Sequence, residues 1–128
     1  MMLVAFASTD GIHINDHFGW CKCFYMYDLL EDSFVLVKAI NSTQELQEEG
    51  EKLAYKIGCI EEAKILCVSH IGPRASTLVK NAGIFVIKAN SENDTIEEAL
   101  LNLLKLKNTN PPLWMQRLLS ENSPHRDS

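Results

Sequence analysis

The sequence predicts an α/β domain built on a five-stranded mixed sheet with flanking helices. Short apolar runs alternate with segments of helical periodicity along most of the 128 residues, which is the pattern of strands joined by crossover helices. Near the N-terminus, two such runs are separated only by an acidic turn, which indicates a hairpin. With 46% apolar residues, a chain of this length can bury one hydrophobic core.

The first half of the chain predicts three strands and one helix. Residues 2–8 form a nearly continuous apolar run, which is typical of a central strand buried on both faces. Residues 9–20 are polar and rich in turn formers, so we expect a long loop, a feature that often carries function. Apolar runs at 23–29 and 34–40 predict the hairpin. An amphipathic helix follows, with apolar side chains at helical spacing: Leu46, Leu53, Ile57 and Ile60.

The second half predicts two more strands, each followed by a helix. Residues 64–69 form the fourth strand, and Pro73 then lies near the first turn of a short helix. Residues 84–89 form the fifth strand, and Asp94 or Thr95 starts the next helix. We expect this helix to be well buried, because its leucines cover most of its circumference: Leu100, Leu101, Leu103, Leu104 and Leu106.

The resulting order, three strands and then alternating helices and strands, is that of a ribonuclease-H-like sheet. We assign residues 1–107 to this domain and 108–128 to a proline-rich break, a short helix and a polar tail. Trp114 and Leu118 lie one helical turn apart in the short helix. We expect them to pack on the chain's own sheet, and docking on a partner is the alternative.

Composition excludes several classes of protein. The first apolar run lacks a basic leader and is too short for a signal peptide, and no stretch could span a bilayer. We therefore expect a cytoplasmic protein whose four cysteines are thiols. The net charge of −5 and the absence of a Lys/Arg cluster argue against a nucleic-acid partner.

Candidate ligand-binding residues follow the first and fourth predicted strands. If these strands are parallel neighbours, their carboxyl ends share one edge of the sheet, where open α/β sheets bind ligands. That edge would bring together imidazole, thiolate and cationic groups with the start of the helix near Pro73. Imidazole and thiolate bind iron and iron-sulfur species, and the helix start binds anions. The candidates are His13, His17, Cys21, Cys23, His70, Gly72 and Arg74.

Each of these side chains also has a purely structural interpretation. His13 would be a solvated loop residue, His70 would cap the next helix, and Cys21 and Cys23 would pack in a strand. His17 is the best placed, because the compact sequence from Asp16 to Gly19 buries one ring and turns sharply. A structural zinc site would need a second cysteine pair near Cys21 and Cys23, and the sequence offers none.

A metal-dependent nuclease is the rival function for a ribonuclease-H-like sheet. Such an enzyme needs several carboxylates clustered on the central strands. Asp10 stands at the end of the first strand, but the run 64–69 has no acid and the run 23–27 has none before Asp28. The sequence therefore disfavours a nuclease.

At this point the motifs are recognisable. Residues 4–11 and 14–20, with Asn15, His17, Phe18 and Gly19, resemble the opening of the dinitrogenase iron-molybdenum cofactor biosynthesis family, which comprises NifX, NafY core and NifB C-terminal domains. Residues 71–75 and the proline-tryptophan sequence at 110–114 also resemble the NifX branch, so the likeness covers nearly the whole chain.

The resemblance implies a carrier and not an enzyme. Its cargo would be an iron-sulfur cofactor precursor, either the NifB product cluster or a later iron-molybdenum cofactor precursor, and its partners would be NifB and the NifEN scaffold complex. By the same resemblance, His17 is the expected metal ligand. From the free N–H groups of a helix start, we hypothesise that Gly72 and the following helix start donate to sulfides. The alternative is an accessory or regulatory domain of the same family with a different ligand.

Overall fold

The computed structural model describes residues 1–43 and 48–121. Its five strands are β1 (Leu3–Ala7), β2 (Cys23–Leu29), β3 (Phe34–Asn41), β4 (Ile65–Val68) and β5 (Phe85–Lys88). Its helices are α1 (Glu49–Cys59), α2 (Pro73–Asn81), α3 (Ile96–Thr109) and α4 (Leu113–Glu121), and a 3₁₀-helix covers Phe18–Trp20. Leu46, expected on the first helix, and the expected polar tail at 122–128 lie outside the described residues.

The strands form one mixed sheet in the order β3-β2-β1-β4-β5. The β2–β3 hairpin is antiparallel, and β2 also runs antiparallel to β1. β1, β4 and β5 are parallel. The predicted ribonuclease-H-like α/β fold is therefore confirmed, and the carboxyl ends of the three parallel strands meet at one edge of the sheet.

The two faces of the sheet carry separate hydrophobic clusters, because strand side chains alternate between faces. In β1, Leu3, Ala5 and Ala7 face the cluster that also contains buried residues of α1 and α2. Val4 and Phe6 face the cluster formed with α3 and α4. All five residues of β1 are buried, as expected of a central strand covered on both sides.

Helix α3 begins as the sequence predicts but is less buried than we expected. Thr95 caps it through a reciprocal pair of hydrogen bonds with Glu98, which satisfies two amides at the helix start. Leu100 is fully buried, whereas Leu101 is 52% exposed. The leucines occupy more than one face of the helix, and the sheet covers only one of them.

Helix α4 packs on the chain's own sheet. The Trp114 ring stacks on Phe85 of β5 with centroids 3.9 Å apart, and Met115 is fully buried in the cluster that includes α3.

The domain boundary that the sequence predicts after residue 107 falls within α3, which ends at Thr109. The division of the chain into a domain and a tail at this point stays a prediction. Among the described residues, no helix is long and apolar enough to cross a membrane.

Candidate functional site

The loop after β1 and the segment after β4 meet at the carboxyl edge of the sheet. The backbones of His17 and His70 pair as a short parallel β-bridge, in which the Phe18 amide donates to the His70 carbonyl at 3.0 Å. One residue earlier, the Ser69 amide donates to the Asp16 carbonyl at 3.1 Å. These bonds extend the β1–β4 pairing into the loops and bring the two histidines side by side.

Phe18 anchors this part of the loop in the core. Its side chain is fully buried, and its ring lies 5.7 Å from that of Phe24. Because neighbouring side chains in an extended segment point in opposite directions, burial of Phe18 leaves His17 exposed. The 3₁₀-helix Phe18–Trp20 then turns the chain, so that Trp20 is 78% exposed beside His17.

A buried lysine holds the end of the same loop. Lys56 of α1 donates hydrogen bonds to the Cys21 carbonyl and, at 2.8 Å, to the Ser42 carbonyl. Its burial lowers the pKa of the ammonium group, since desolvation disfavours the charged form. These contacts tie α1 to the residue that directly follows the 3₁₀-helix.

Three aromatic rings form a stack at the mouth of the site. The His17 and His70 rings lie 4.4 Å apart between centroids and are inclined by 17°. Trp20 stacks on His17 at 5.3 Å with an inclination of 24°. This exposed set of rings restricts the orientation of His17 without burying it.

The hydrogen bonds of Ser69 determine the tautomer of His70 when the imidazole is neutral. The Ser69 hydroxyl is 2.9 Å from the Asp16 carbonyl, which can only accept, so its one hydrogen is used there. The same oxygen lies 3.0 Å from His70 Nδ1. Nδ1 must therefore carry the proton and donate it, which leaves the lone pair of His70 Nε2 free for a metal.

A cavity of about 460 Å³ opens beside these rings. Two cationic residues, Arg74 and Lys88, lie on its wall, and none of the described residues that line it is acidic. Helix α2 begins there at Pro73, after Gly72 as N-cap, and the first amides of a helix have no partner within it and favour anions. The lining residues are His17, Gly19, Trp20, Leu53, His70, Ile71, Gly72, Pro73, Arg74, Ala75 and Lys88.

Four of the seven candidate residues, His17, His70, Gly72 and Arg74, line this cavity. His13 does not, because its Nδ1 contacts Asp10 at 2.7 Å and its backbone pairs with Thr95 at the start of α3. Hydrogen bonds from the His13 amide and imidazole hold the pKa of Asp10 well below its usual range. Asp10, the acid expected of a nuclease, thus stabilises its own loop.

Cys21 and Cys23 also lie outside the cavity lining. Cys21 is fully buried, and its thiol donates to the Cys23 carbonyl at 2.8 Å. Burial raises the pKa of this thiol to about 12, which opposes the thiolate that binds metals. Among the residues that the structure describes, no group of three or more His, Cys, Asp and Glu side chains could hold a metal ion.

The buried thiols are expected to resist alkylation. Burial raises the pKa of Cys67 to about 12 as well, so very little reactive thiolate would form at either position at pH 8. With iodoacetamide, mass spectrometry should show modification of the half-buried Cys23 and Cys59 long before Cys21 and Cys67. All four should react in the urea-unfolded chain, and alkylation of folded Cys21 as fast as Cys59 would contradict this assignment.

Among the polar and aromatic residues of the cavity, the sequence did not point to Trp20 or Lys88. Lys88 is the last residue of β5, and the carboxyl end of this strand lies at the same edge of the sheet as those of β1 and β4. The exposed ring of Trp20 follows Gly19 at the end of the functional loop, but its stacking on His17 depends on the 3₁₀-helix, which no local signal predicted.

Comparison with known proteins agrees with this architecture. The sequence model of the family described as dinitrogenase iron-molybdenum cofactor matches residues 1–106. Protein NifX of Herbaspirillum seropedicae is 29% identical over 122 residues, covering 94% of this chain and 83% of that protein. Protein NifX of Klebsiella pneumoniae is 26% identical over 126 residues, covering 98% and 76%. The apo orange protein of Desulfovibrio gigas has a similar fold, with a TM-score of 0.62 and 20% identity over 82% of this chain and 88% of that one.

Proposed function

This chain belongs to the dinitrogenase iron-molybdenum cofactor family, and we propose that it is a carrier that binds an iron-sulfur precursor of that cofactor without transforming it. The proposed cargo is the NifB product cluster, received from NifB and passed in the cytoplasm to the NifEN scaffold complex. The observation that carries this proposal is the pairing of His17 with His70 on the wall of a cavity lined by cations.

The charge of the cavity supports an anionic cargo. The chain as a whole has a net charge of −5, yet the described lining of the cavity carries Arg74 and Lys88 and no carboxylate. An iron-sulfur cluster presents sulfides at its surface, and these accept hydrogen bonds from amides and cations. The start of α2 at Gly72 and Pro73 adds a positive dipole end on the same wall.

The ligand types support reversible binding. Imidazole is a neutral ligand, whereas iron-sulfur clusters that stay in their proteins are held mainly by cysteine thiolates. The cavity offers two imidazoles, and none of its described lining residues is a cysteine. A cluster held in this way is shared more easily with a scaffold that supplies stronger ligands, as a carrier requires.

Anaerobic loading followed by transfer tests the proposed function. The protein is mixed with the NifB product cluster, and gel filtration with iron counting and visible absorption then shows whether iron elutes with it. Addition of NifEN should move the iron to the scaffold fraction. If no iron elutes with the protein, the carrier function is wrong, and an accessory domain with a different ligand becomes the better interpretation.

Replacing Ser69 with alanine is expected to weaken cluster binding about 10- to 100-fold, the usual effect of losing a group that orients a metal-binding histidine. The hydroxyl that fixes the proton on His70 Nδ1 would be gone, so either tautomer could form. Cluster affinity is measured by titration followed by visible absorption. Ser76→Ala is the control, because Ser76 lies on α2 outside the cavity lining; equal affinities of the two variants would contradict the role of Ser69.

A further inference from the structure

The stacked arrangement of His17 and His70 restricts how the pair can bind metal. A metal bound to imidazole lies close to the plane of the ring, because the nitrogen lone pair is directed within that plane. These two rings are inclined by only 17°, with centroids 4.4 Å apart. The planes of the two rings are nearly parallel and, at this spacing, intersect only on the order of 10 Å from the rings. A metal bound to an imidazole nitrogen lies only about 2.0–2.1 Å from it. One ion therefore cannot bind both rings while they remain stacked.

The contacts around the pair oppose rearrangement. Ser69 fixes one edge of the His70 ring through Nδ1 at 3.0 Å, and Trp20 stacks on His17. The backbones of the two histidines are joined by the β-bridge, so the side chains start from neighbouring, parallel positions. Chelation of one ion would require at least one ring to leave the stack and lose these contacts.

Two metal atoms of one cluster fit the same arrangement without rearrangement. Metals that share a sulfide, each at a bond length of roughly 2.3 Å, lie well under twice that distance apart, because bridging sulfides are strongly bent. A cluster of several metals also contains pairs that share no sulfide and lie farther apart, and such a pair suits two rings whose centroids are 4.4 Å apart. The free lone pair of His70 Nε2 is already available, because its other nitrogen carries the proton donated to Ser69.

We infer that the site is selective for polynuclear cargo, with His17 and His70 binding different metal atoms of the same cluster. This inference rests on the proposed function for the identity of the cargo and adds how the cargo is distinguished from free metal ions. A single divalent cation would be held by one imidazole at most. Stacking of the rings would thus keep the carrier unoccupied in a cell that contains free zinc or ferrous iron.

Two titrations of the full chain test this inference separately from the carrier function. In the first, Zn²⁺ alone is added to wild type, His17→Ala, His70→Ala and the double variant, followed by calorimetry and by NMR of the histidine ring nitrogens. We expect weak binding, with either single substitution changing the affinity by less than about threefold. A loss of about tenfold or more in both single variants would overturn the inference, because chelation of one ion needs both rings.

In the second titration, the NifB product cluster replaces zinc. We expect His70→Ala to lower cluster affinity at least about tenfold, and an unchanged affinity would overturn the inference. His13→Ala is the matched control, because His13 is a partly exposed histidine outside the cavity. Circular dichroism checks that each variant is folded. If wild type takes up no cluster, the carrier function fails, while the zinc titration still decides whether the two rings can chelate one ion.

Discussion

His17→Ala is expected to lose stable binding of the iron-sulfur precursor, with an affinity loss of at least about 100-fold. That is the upper end of what the loss of an orienting group costs, and here the metal ligand itself is removed. The substitution also deletes the central ring of the stack with Trp20 and His70. Gel filtration after anaerobic loading, with iron counted in the protein fraction, measures the effect.

The matched control for His17→Ala is His13→Ala, in the same loop. His13 contacts Asp10 and pairs with Thr95 instead of facing the cavity, so iron uptake should stay at the wild-type level. His17 is exposed, so His17→Ala should unfold at the wild-type urea concentration. His13→Ala loses a partly exposed contact with Asp10, which should lower the free energy of unfolding only slightly. Wild-type iron uptake by a folded His17→Ala variant would show that the cluster binds elsewhere.

Met115→Ala is expected to destabilise the folded chain by about 2–5 kcal/mol, the usual cost of removing a large side chain from a core. Met115 is fully buried in the cluster that α4 forms with α3 and the sheet. A loss of this size is a large part of the roughly 5–15 kcal/mol that stabilises a typical domain. Equilibrium unfolding in urea, monitored by circular dichroism, gives the free energy of unfolding.

Leu113→Ala provides the control on the same helix. Leu113 lies two residues before Met115 and is 60% exposed, so its replacement should change the free energy of unfolding by less than about 0.5 kcal/mol. If Met115→Ala were as stable as Leu113→Ala, α4 would not be part of the folded core. The short C-terminal helix would then be available to dock on a partner.

The amino-acid sequence by itself determined the elements of the fold. Apolar runs of strand length predicted all five strands to within one residue at each end. β1 and β4 are buried on both faces and leave no position for a polar side chain, whereas the acidic turn between the two hairpin strands marked β2 and β3. The capping sequence at Thr95 and Pro73 at the start of α2 marked two helix starts. These signals are local, since they depend on backbone conformation and on burial of neighbouring residues along one segment.

The sequence also predicted part of the cavity. His17, His70 and Gly72 follow strands whose carboxyl ends share an edge, and the order of strands and helices was enough to place them together. The order of strands and helices could not show that Cys21 and His13 lie outside the cavity. His13 is held away from the cavity by its pairing with Thr95, and Cys21 by its burial in the core. Both placements depend on contacts with other segments of the chain.

Only the tertiary structure decided which side chains act together. The parallel stack of His17 on His70, the proton on His70 Nδ1 and the contribution of Lys88 all arise from contacts between segments that are far apart in the chain. The exposure of Leu101 and the burial of Met115 depend likewise on which face of a helix meets the sheet. Local sequence patterns specify where a helix or strand forms, whereas the distances and angles on which metal binding depends are fixed only when those elements pack.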